Sequence, residues 1–304
     1  MAQAQFDVIV IGEGVSGLSA AGELARAGLK VATFEAQLFG GLVINVNELD
    51  PVPVNAPASG AEFASQIMQE NGDAGVTSVQ EPVTALRDKG QLREVATDGS
   101  SYTARHVIVA SGARLKRLGI AGESEFEGRG VSQCADCDGP MYQNEQVAVV
   151  GGGDSALQEA LVLSHYCDRV HLIHRGDHFT GNAHFAEQVK SNEKITVVWN
   201  ATLDAIIGSQ MVEKVRVKHQ DGRVEELPCA GVFAYIGLEP NTAYLPAAVA
   251  RDQDGFVRTN DSFETAAPGV WAIGAVRSGF AGALTDAMHE AKTVAASIRA
   301  QLAD

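Results

Sequence analysis

The sequence has few cysteines, few positive charges and no long apolar run. Its 304 residues include four cysteines, and 23 Lys and Arg stand against 38 Asp and Glu. So few cysteines exclude a scaffold built from disulfides. The formal net charge of −15 argues against a nucleic-acid partner, because clustered Lys and Arg bind such partners. We attribute the negative charge to a solvated acidic surface.

Segments that would direct the chain to or through a membrane are also missing. No stretch approaches the roughly 18 uninterrupted apolar residues that span a bilayer. Residues Met1–Asp7 lack a basic segment, and the apolar run Val8–Ile11 is too short for the core of a signal peptide. We therefore predict a cytoplasmic protein. In that reducing compartment, a close cysteine pair is expected to be redox-active or metal-binding.

Apolar residues and glycine are plentiful. Apolar residues make up 45% of the chain, which is enough for real cores and excludes a disordered chain, and there are 32 glycines. At about 150 residues per domain, the length predicts two domains. The glycines concentrate in two motifs that define these domains.

The first motif begins at the amino terminus. The apolar run Asp7–Ile11 predicts a buried strand, Leu18–Gly28 a helix and Lys30–Glu35 a second strand. A turn with the pattern GxGxxG joins the first strand to the helix. Its glycines allow a tight turn, the approach of a pyrophosphate and close helix packing, and Glu35 is placed to hold ribose hydroxyls. We predict a dinucleotide site that includes Gly12, Gly14, Gly17 and Glu35.

The second motif repeats this arrangement in the middle of the chain. Gln146–Val150 predicts a strand, Ser155–Ser164 a helix and Arg169–His174 the next strand. The turn has the pattern GxGxxA, in which alanine is small enough for the same packing. The second strand ends in a base instead of an acid, and this base could pair with a 2′-phosphate. We predict a second dinucleotide site at Gly151, Gly153, Asp154, Ser155, Ala156, His174 and Arg175.

The remaining segments indicate that one domain is inserted in the other. Strands are predicted at Ser101–Gly112 and Gly269–Gly274, a helix at Ala283–Ala300, and partly loop at residues 36–74. Residues 190–240 alternate apolar and polar side chains, with a turn at Gln220–Gly222. We predict an α/β fold of two Rossmann-like three-layer nucleotide-binding domains, one from residues 1–113 and 241–304, the other from residues 114–240.

A pair of cysteines precedes the second motif. Cys134 and Cys137 have the CxxC spacing that closes a small disulfide ring, and the residue Asp138 follows directly. A zinc site is the alternative, but it needs two more ligands. Cys167 and Cys229 lack ligand spacing and are expected to be buried free thiols, so we predict no metal. Asp138 is either a proton donor to a leaving thiolate or part of an Asx-turn with Gly139.

These motifs together resemble the low-molecular-weight thioredoxin reductases. The resemblance covers nearly the full chain and rests on Gly128–Gly139, Val147–Ala156, Val170–Arg175, Gly40-Gly41, Ala234–Gly237, Pro240-Asn241 and Gly269–Gly274. It implies an FAD domain, an inserted NADH- or NADPH-binding domain that carries the disulfide, and a homodimer. It further implies that Cys137 faces the flavin, that Cys134 exchanges with a disulfide of a thioredoxin-like protein or small molecule, and that Asp138 donates a proton.

The resemblance also implies a rotating inserted domain and further flavin contacts. Because the disulfide and the nicotinamide need the same flavin, the family rotates the inserted domain, here with hinges near Gly112–Arg117 and Tyr235–Thr242. The further residues expected at the flavin are Gly40, Gly41, Gly112, Gly274, Ala275, Gly282 and Ala283.

The sequence departs from the family at both cofactor sites. Gly176 and Thr180 replace two arginines that hold the 2′-phosphate of NADPH, which favours NADH or no pyridine nucleotide. Ala275 replaces an aspartate, Gly282-Ala283 lies where an Arg-Gln pair is found, and Leu42 replaces a glutamine. Two alternatives therefore stay open: a flavin enzyme with ferredoxin or oxygen as a reaction partner, and a non-catalytic flavin-binding redox sensor.

Overall fold

A computed structural model describes residues 5–46, 49, 57 and 59–303. The chain divides into two compact units: Met1–Arg114 with Glu239–Asp304 forms unit 1, and Leu115–Leu238 forms unit 2. In unit 1 and at its boundaries the strands are β1 Phe6–Ile11, β2 Val31–Phe34, β3 Thr77–Val79, β4 Val83–Lys89, β5 Leu92–Thr97, β6 Ser101–Val109, β7 Ala113–Leu115, then, after unit 2, β16 Leu238–Pro240 and β17 Val270–Ala272. Its helices are α1 Val15–Arg26, α2 Gly60–Asp73 and α6 Leu284–Ala303.

Unit 2 contains the strands and helices between these two parts. Its strands are β8 Val131–Ser132, β9 Gln146–Gly151, β10 Arg169–Ile173, β11 Ile195–Val198, β12 Ala201–Gly208, β13 Val212–His219, β14 Val224–Pro228 and β15 Gly231–Tyr235. Its helices are α3 Ala135–Asp138, α4 Asp154–Tyr166 and α5 Ala183–Ser191. Short 3-10 turns cover Gly41–Asn45, Gly139–Tyr142 and Gly274–Val276.

The sheet of unit 1 has a parallel centre and an antiparallel extension. Its order is β3-β2-β1-β6-β5-β4, and β17 also pairs with β6. β1 is buried on both faces, as an apolar central strand must be. Val8 and Val10 pack with α1 and α6, while Ile9 and Ile11 face the opposite core, because successive side chains of a strand alternate.

Unit 2 has a five-stranded sheet in the order β11-β10-β9-β15-β8, with all pairs parallel. One face packs against α4 and α5 through residues such as Leu157 and Leu163. The other face packs against the antiparallel sheet β12-β13-β14. From β9 the chain continues to β10 and β11 on one side of the sheet, and β15 lies on the other side. The connections after β9 and β15 therefore run in opposite directions and open a crevice between them, which is where nucleotides bind in this class of fold. The fold class predicted from the sequence is confirmed.

The segments that connect the units run beside each other. β7 leaves unit 1, β16 returns to it, and the two form a two-stranded sheet. Next to this pair, the Asn241 N–H donates to Gly112 O at 3.0 Å, and the Asn241 amide donates to Ser111 O at 2.8 Å. These bonds join the segment between β6 and β7 to the residue after β16, at the point where the inserted unit interrupts unit 1.

The sequence interpretation of residues 36–74 was incomplete. A helix of 14 residues, α2, lies inside this segment. Ser59 caps its start by accepting a hydrogen bond from the Glu62 N–H. Phe63 and Ala64 are buried in a cluster with Val15 of α1 and Ala287 of α6. The cap and the apolar pair are visible in the sequence, but Gly60 and several polar residues obscure the period. The loop predicted at residues 47, 48, 50–56 and 58 lies outside the described residues, as does the amino-terminal segment 1–4.

Two further elements have no counterpart in the sequence interpretation, namely helix α5 and the hairpin of β4 and β5. The predicted turn at Gln220–Gly222 does join two paired strands, β13 and β14. No helix in the described ranges is long and apolar enough to cross a membrane.

Candidate functional site

The glycine turn of unit 1 lies between β1 and α1. A side chain at Gly12 would overlap the backbone oxygen of Ala110, and one at Gly17 would overlap Gly12 O. Gly14 has no atom within 4 Å of the place where a Cβ would stand. Gly14 is also the N-cap of α1 and supplies no side-chain cap, so the first N–H groups of the helix have no side-chain partner there. The turn can bind an anionic phosphate in the way expected of a dinucleotide site.

Glu35 lies beside this turn at the end of β2. Its Oε2 accepts a hydrogen bond from Glu13 N at 2.9 Å, and its Oε1 accepts from Ala36 N at 2.8 Å and Gln37 N at 3.0 Å. A carboxylate has about four acceptor positions, and because Oε1 already accepts twice, the free position is on Oε2. Glu35 is therefore fixed in place and can still accept hydrogen bonds from ribose hydroxyls.

Glu13 supports the glycine turn from below, a role that the sequence interpretation missed. Its side chain is fully buried, and its carboxyl accepts hydrogen bonds from Thr33 Oγ1 and Ser78 Oγ, both at 2.6 Å, and from Gln80 Nε2 at 3.1 Å. These donors come from β2, β3 and the residue after β3. The carboxyl thereby joins three strand ends beneath the glycine turn. A charged residue between two motif glycines is the sequence signal, but its donors lie 20 to 67 positions away.

A second group of glycines lies against the same turn. Gly40 N donates to Glu13 O at 2.6 Å, and a Cβ on Gly41 would lie 3.3 Å from Gly14 Cα. A side chain at Gly274, which follows β17, would overlap Ser16 Oγ. Gly40, Gly41 and Gly274 lie with Gly12 at the carboxyl ends of the parallel strands, where ligands bind in open α/β sheets. Gly112 also has positive φ, and no atom lies near its missing Cβ.

The segment after β17 has a different set of contacts from the one predicted. Ala275 adds no polar group, but the buried Glu290 of α6 accepts from Gly274 N at 2.7 Å and pairs with Arg277. This ion pair was not predicted, because it joins two segments that have no common motif. At Gly282 and Ala283, the start of α6 is capped from within: Ala283 N donates to the Asp286 carboxyl at 3.3 Å.

These residues fit an FAD. The uncapped start of α1 suits the pyrophosphate, Glu35 suits a ribose, and the glycines leave room for the cofactor to lie on the backbone. The fit is weakest at the flavin end, where Leu42 is 53% exposed and the Asp286 carboxyl occupies the helix start.

The glycine turn of unit 2 has similar geometry, but the residues that follow the next strand, β10, differ from those of unit 1. A Cβ on Gly151 would lie 2.7 Å from Ala156 Cβ, and Gly153 caps α4 without a side chain. Ser155 is exposed near the start of α4. The carboxyl of Asp154 accepts from Asn182 N, and Thr180 N donates to Gly152 O at 2.8 Å. The loop after β10 thus folds back onto the turn.

His174 and Arg175, both predicted to bind the nucleotide, are placed differently from each other. The His174 ring is buried against Gly152, with Nδ1 3.1 Å from Gly151 O and Nε2 2.9 Å from His178 O. Phe179 and Trp199 lie beside it, with their ring centroids 4.5 Å apart. His174 therefore supports the turn from below, while Arg175 is exposed at the sheet edge.

The cysteine pair lies at the carboxyl ends of the strands of this sheet, as the glycine turn does. Cys134 comes two residues after β8 and forms a disulfide with Cys137 across α3, with the Cα atoms 5.3 Å apart. Cys137 N donates to Cys134 Sγ at 3.2 Å, and Cys137 is exposed. Within the described residues the Asp138 carboxyl makes no hydrogen bond, so the Asx-turn with Gly139 is not formed there.

The other two cysteines are separate from this pair. Cys167 and Cys229 are free and buried, and burial raises the pKa of the Cys167 thiol to about 11 and that of Cys229 to about 12. Neither is a reactive thiolate at neutral pH. In the part of the chain that the structure describes, no three His, Cys, Asp or Glu side chains form a group that could hold a metal.

Comparison with known proteins agrees with this geometry. Residues 6–297 match the family model described as pyridine nucleotide-disulphide oxidoreductase. The chain is 40% identical over 278 residues to a thioredoxin reductase of Treponema pallidum, covering 91% of this chain and 90% of that protein. It is 34% identical over 275 residues to a thioredoxin reductase of Listeria innocua, covering 90% and 86%.

Solved structures show the same similarity. Thioredoxin reductase from Lactococcus lactis superposes with a TM-score of 0.91 at 30% identity, covering 98% of this chain and 99% of that one. Thioredoxin reductase from T. acidophilum gives a TM-score of 0.88 at 28% identity with the same coverage. With its two glycine turns and its disulfide, the chain belongs to the thioredoxin reductases of the pyridine nucleotide-disulphide oxidoreductase family.

Proposed function

We propose that the protein passes electrons from NADH, in preference to NADPH, by way of FAD to the Cys134–Cys137 disulfide and on to the disulfide of a thioredoxin-like protein. The observation that carries this proposal is the position of the disulfide at the sheet edge where the second glycine turn lies. The relatives' name, thioredoxin reductase, supports the choice of acceptor.

The residues of unit 1 hold FAD in this proposal. The N–H groups at the start of α1 bind its pyrophosphate, and Glu35 accepts hydrogen bonds from its ribose. The remaining flavin contacts come from the backbone at Gly40, Gly41, Gly112, Gly274, Ala275, Gly282 and Ala283. When bound, FAD relays two electrons between a hydride donor and a disulfide. Unit 2 binds the pyridine nucleotide at Gly151, Gly153, Asp154, Ser155 and Ala156, and Arg175 lies at the ribose end.

The cysteines divide the disulfide reaction between them. Two electrons break the S–S bond at Cys137, and Cys134 leaves with its electron pair and takes a proton from Asp138. Cys134 then returns that proton and attacks the acceptor disulfide, forming a mixed disulfide and releasing one acceptor thiolate. Cys137 attacks Cys134 to release the second acceptor thiolate and restore the Cys134–Cys137 bond.

The preference for NADH rests on the loop after β10. Gly176 has no side chain, and Thr180 Oγ1 donates to Gly152 O at 3.2 Å, so neither presents a cation to a 2′-phosphate. Arg175 is the one guanidinium of the segment 174–182, and Asp177 adds a negative charge there. A lone arginine beside a carboxylate holds a phosphate weakly.

Anaerobic mixing of the oxidised protein with each nucleotide tests the donor. NADH is expected to bleach the flavin absorbance at concentrations far below those that NADPH requires. Trp199 at this edge gives a second readout, because nucleotide binding will change its fluorescence. Bleaching by NADPH alone contradicts the preference, and a colourless protein after expression with added FAD contradicts the whole proposal.

Reduction of thioredoxin tests the acceptor. Cys137→Ser is expected to abolish turnover while the flavin still bleaches with NADH. Ala275 and the capped start of α6 favour a second candidate, a flavin protein that does not use a pyridine nucleotide. Such a protein either takes electrons from a donor such as ferredoxin or binds flavin without catalysis. Failure of both nucleotides with successful reduction of the flavin by dithionite would establish that candidate.

Two further expectations complete the proposal, namely a homodimer, which the resemblance implies, and a cytoplasmic location, which was predicted from the sequence. Light scattering after size-exclusion chromatography checks the first, with a molar mass of twice the 31.9 kDa chain expected. Fractionation of the source cells checks the second.

A further inference from the structure

A carboxyl group of α4 lies directly beneath the redox-active turn. Glu159 Oε2 accepts a hydrogen bond from Ala135 N at 3.0 Å. Ala135 follows Cys134, and its side chain is completely buried in the core that contains Leu157, Ala160 and Leu163 of the same helix. The turn between the two cysteines is therefore attached to α4 by one apolar contact and one carboxyl.

Among the described residues, no cation acts on the Glu159 carboxyl. The titratable groups that face it are Asp136 of α3 and Tyr235 at the end of β15. Burial, together with the charge of Asp136, raises the pKa of Glu159, while the Ala135 N–H acts in the opposite direction. Burial and the neighbouring Glu159 carboxyl in turn raise the pKa of Tyr235 well above its usual range. The hydrogen bond to Ala135 is thus the main stabilisation that the charged form of Glu159 receives.

The two N–H groups of the turn serve different acceptors. Cys137 N donates to Cys134 Sγ at 3.2 Å, and Ala135 N donates to Glu159. When the disulfide is reduced, a thiolate on Cys134 and a carboxylate on Glu159 would be separated by little more than the Ala135 peptide. Like charges this close disfavour the doubly charged state.

We propose that Glu159 is a positioning residue of the thiol–disulfide reaction, which holds the turn through Ala135 and whose negative charge keeps reduced Cys134 in its thiol form. Two electrons and one proton from Asp138 convert the disulfide into a thiolate on Cys137 and a thiol on Cys134, and Cys134 must return that proton to Asp138 before it attacks an acceptor. The carboxylate at Glu159 opposes that loss. This inference rests on the proposed role of Cys134 as the exchanging cysteine.

Two substitutions separate the charge from the attachment. Glu159→Gln keeps an oxygen that can accept the Ala135 N–H but removes the charge, whereas Glu159→Ala removes both. Glu187→Gln on α5 is the matched control, because Glu187 is an exposed carboxyl of the same unit. Each is combined with Cys137→Ser, so that Cys134 is a single free thiol at the turn.

The rate of iodoacetamide alkylation against pH reports the titration of Cys134 in the FAD-loaded protein. The buried thiols of Cys167 and Cys229 do not compete. With Glu159→Gln we expect the titration midpoint to fall by about one pH unit. With Glu187→Gln we expect no shift. An unchanged midpoint in Glu159→Gln, or an equal shift in Glu187→Gln, overturns the proposal.

Equilibration of the enzyme with thioredoxin above the titration midpoint gives a second measurement, made with Cys137 present. Glu159→Gln is expected to favour the reduced enzyme about tenfold, which corresponds to about 30 mV. Glu159→Ala is expected to shift the equilibrium as Gln does and, in addition, to lower kcat by loosening the turn. If Glu159→Ala does not fold, the Gln variant decides. Alkylation requires neither a nucleotide nor an acceptor, so its outcome is independent of the proposed donor and acceptor.

Discussion

The two glycine turns have nearly the same geometry, but different residues lie beside them at the end of the next strand. Each follows a central strand, β1 or β9, that pairs in parallel with both of its neighbours, and each begins a helix without a side-chain cap. In unit 1 the next strand ends in Glu35, whose carboxyl accepts three backbone N–H groups and remains beside the turn. In unit 2 it ends in His174, whose ring is buried under the turn. The glycine pattern therefore specifies the shape of the turn, and in the proposed function the residue after the second strand distinguishes the two nucleotide sites.

The largest expected effect comes from the third small residue of each turn. Gly17→Ala would place a Cβ on Gly12 O, whereas the matching position of unit 2 already holds Ala156. We expect Gly17→Ala to lower the free energy of unfolding by about 3 kcal/mol or more, with loss of FAD. Chemical denaturation of the apoprotein and the FAD content of the purified protein measure this.

Ala156→Gly is the matched change in unit 2. It removes a methyl group near a helix start and is expected to lower the free energy of unfolding by only about 1 kcal/mol. A Gly17→Ala protein with normal FAD content and stability would show that the two turns are interchangeable.

Acid is expected to destabilise unit 1 through His106. Its Nδ1 accepts from Trp271 Nε1 at 3.3 Å, and burial, aided by Arg105 and Arg93, lowers the pKa of His106 to about 4. Because the unfolded state takes up a proton near pH 6.5 and the folded state near 4, stability is full above pH 6.5 and falls as the pH approaches 4. We expect a loss of up to about 3 kcal/mol over that range.

Denaturation at several pH values measures this loss. His106→Gln is expected to remove most of the pH dependence between pH 6.5 and 4 at the expense of lower stability at pH 7. The control is His184→Gln, since His184 is exposed on α5 of unit 2. If the slope is the same in His106→Gln and the wild type, His106 is not its source.

Restoring positive charge to the loop of unit 2 is expected to change its nucleotide. The double substitution Gly176→Arg with Thr180→Arg supplies two guanidinium groups at the edge where Arg175 is alone. We expect the KM for NADPH to fall about ten- to hundredfold, with little change for NADH. Steady-state kinetics with both nucleotides measure this, and Thr180→Leu, which removes the hydroxyl without adding charge, is the control. An equal fall for both nucleotides would indicate a general electrostatic effect.

The smallest expected effect lies at the flavin end of unit 1. Asp286 accepts from Ala283 N and places a carboxylate at the start of α6. Asp286→Asn is expected to strengthen FAD binding about two- to fivefold, because a charge near a helix terminus contributes about 0.3–1 kcal/mol. Titration of the apoprotein with FAD measures this, with the exposed Asp261→Asn as control. Weaker binding would mean that the carboxylate contributes to the site.

Predictability differed between local and long-range features. The glycine turns, the CxxC pair and the strands β1, β6, β9 and β10 follow patterns contained in a few consecutive residues, and the fold class follows from them. Helix α2 was missed because its apolar residues are few, although Ser59 and Glu62 signal its start. The hairpin of β4 and β5 depends on pairing with β6.

The carboxyl groups were the least predictable part of the site. Glu13 and Glu290 are buried beside the glycines of unit 1, Glu159 is half-buried beside the redox turn, and the partners of all three come from other elements. The spacing of apolar residues in a helix indicates which side chains face inward, but it does not indicate which N–H group of another segment each of them will contact. A buried carboxylate needs such donors, so its role appears only when the elements are packed.

The sequence by itself determined two glycine turns, a redox pair and an α/β fold, because backbone conformation at glycine and the spacing of two cysteines are local properties. The tertiary structure alone decided that His174 supports its turn from below, that Arg277 and Glu290 meet beside Gly274, and that Glu159 accepts a hydrogen bond from the residue after Cys134. Those placements depend on which side chains the parallel strands and their helices bring to one edge of each sheet, and that choice is made by packing across the chain.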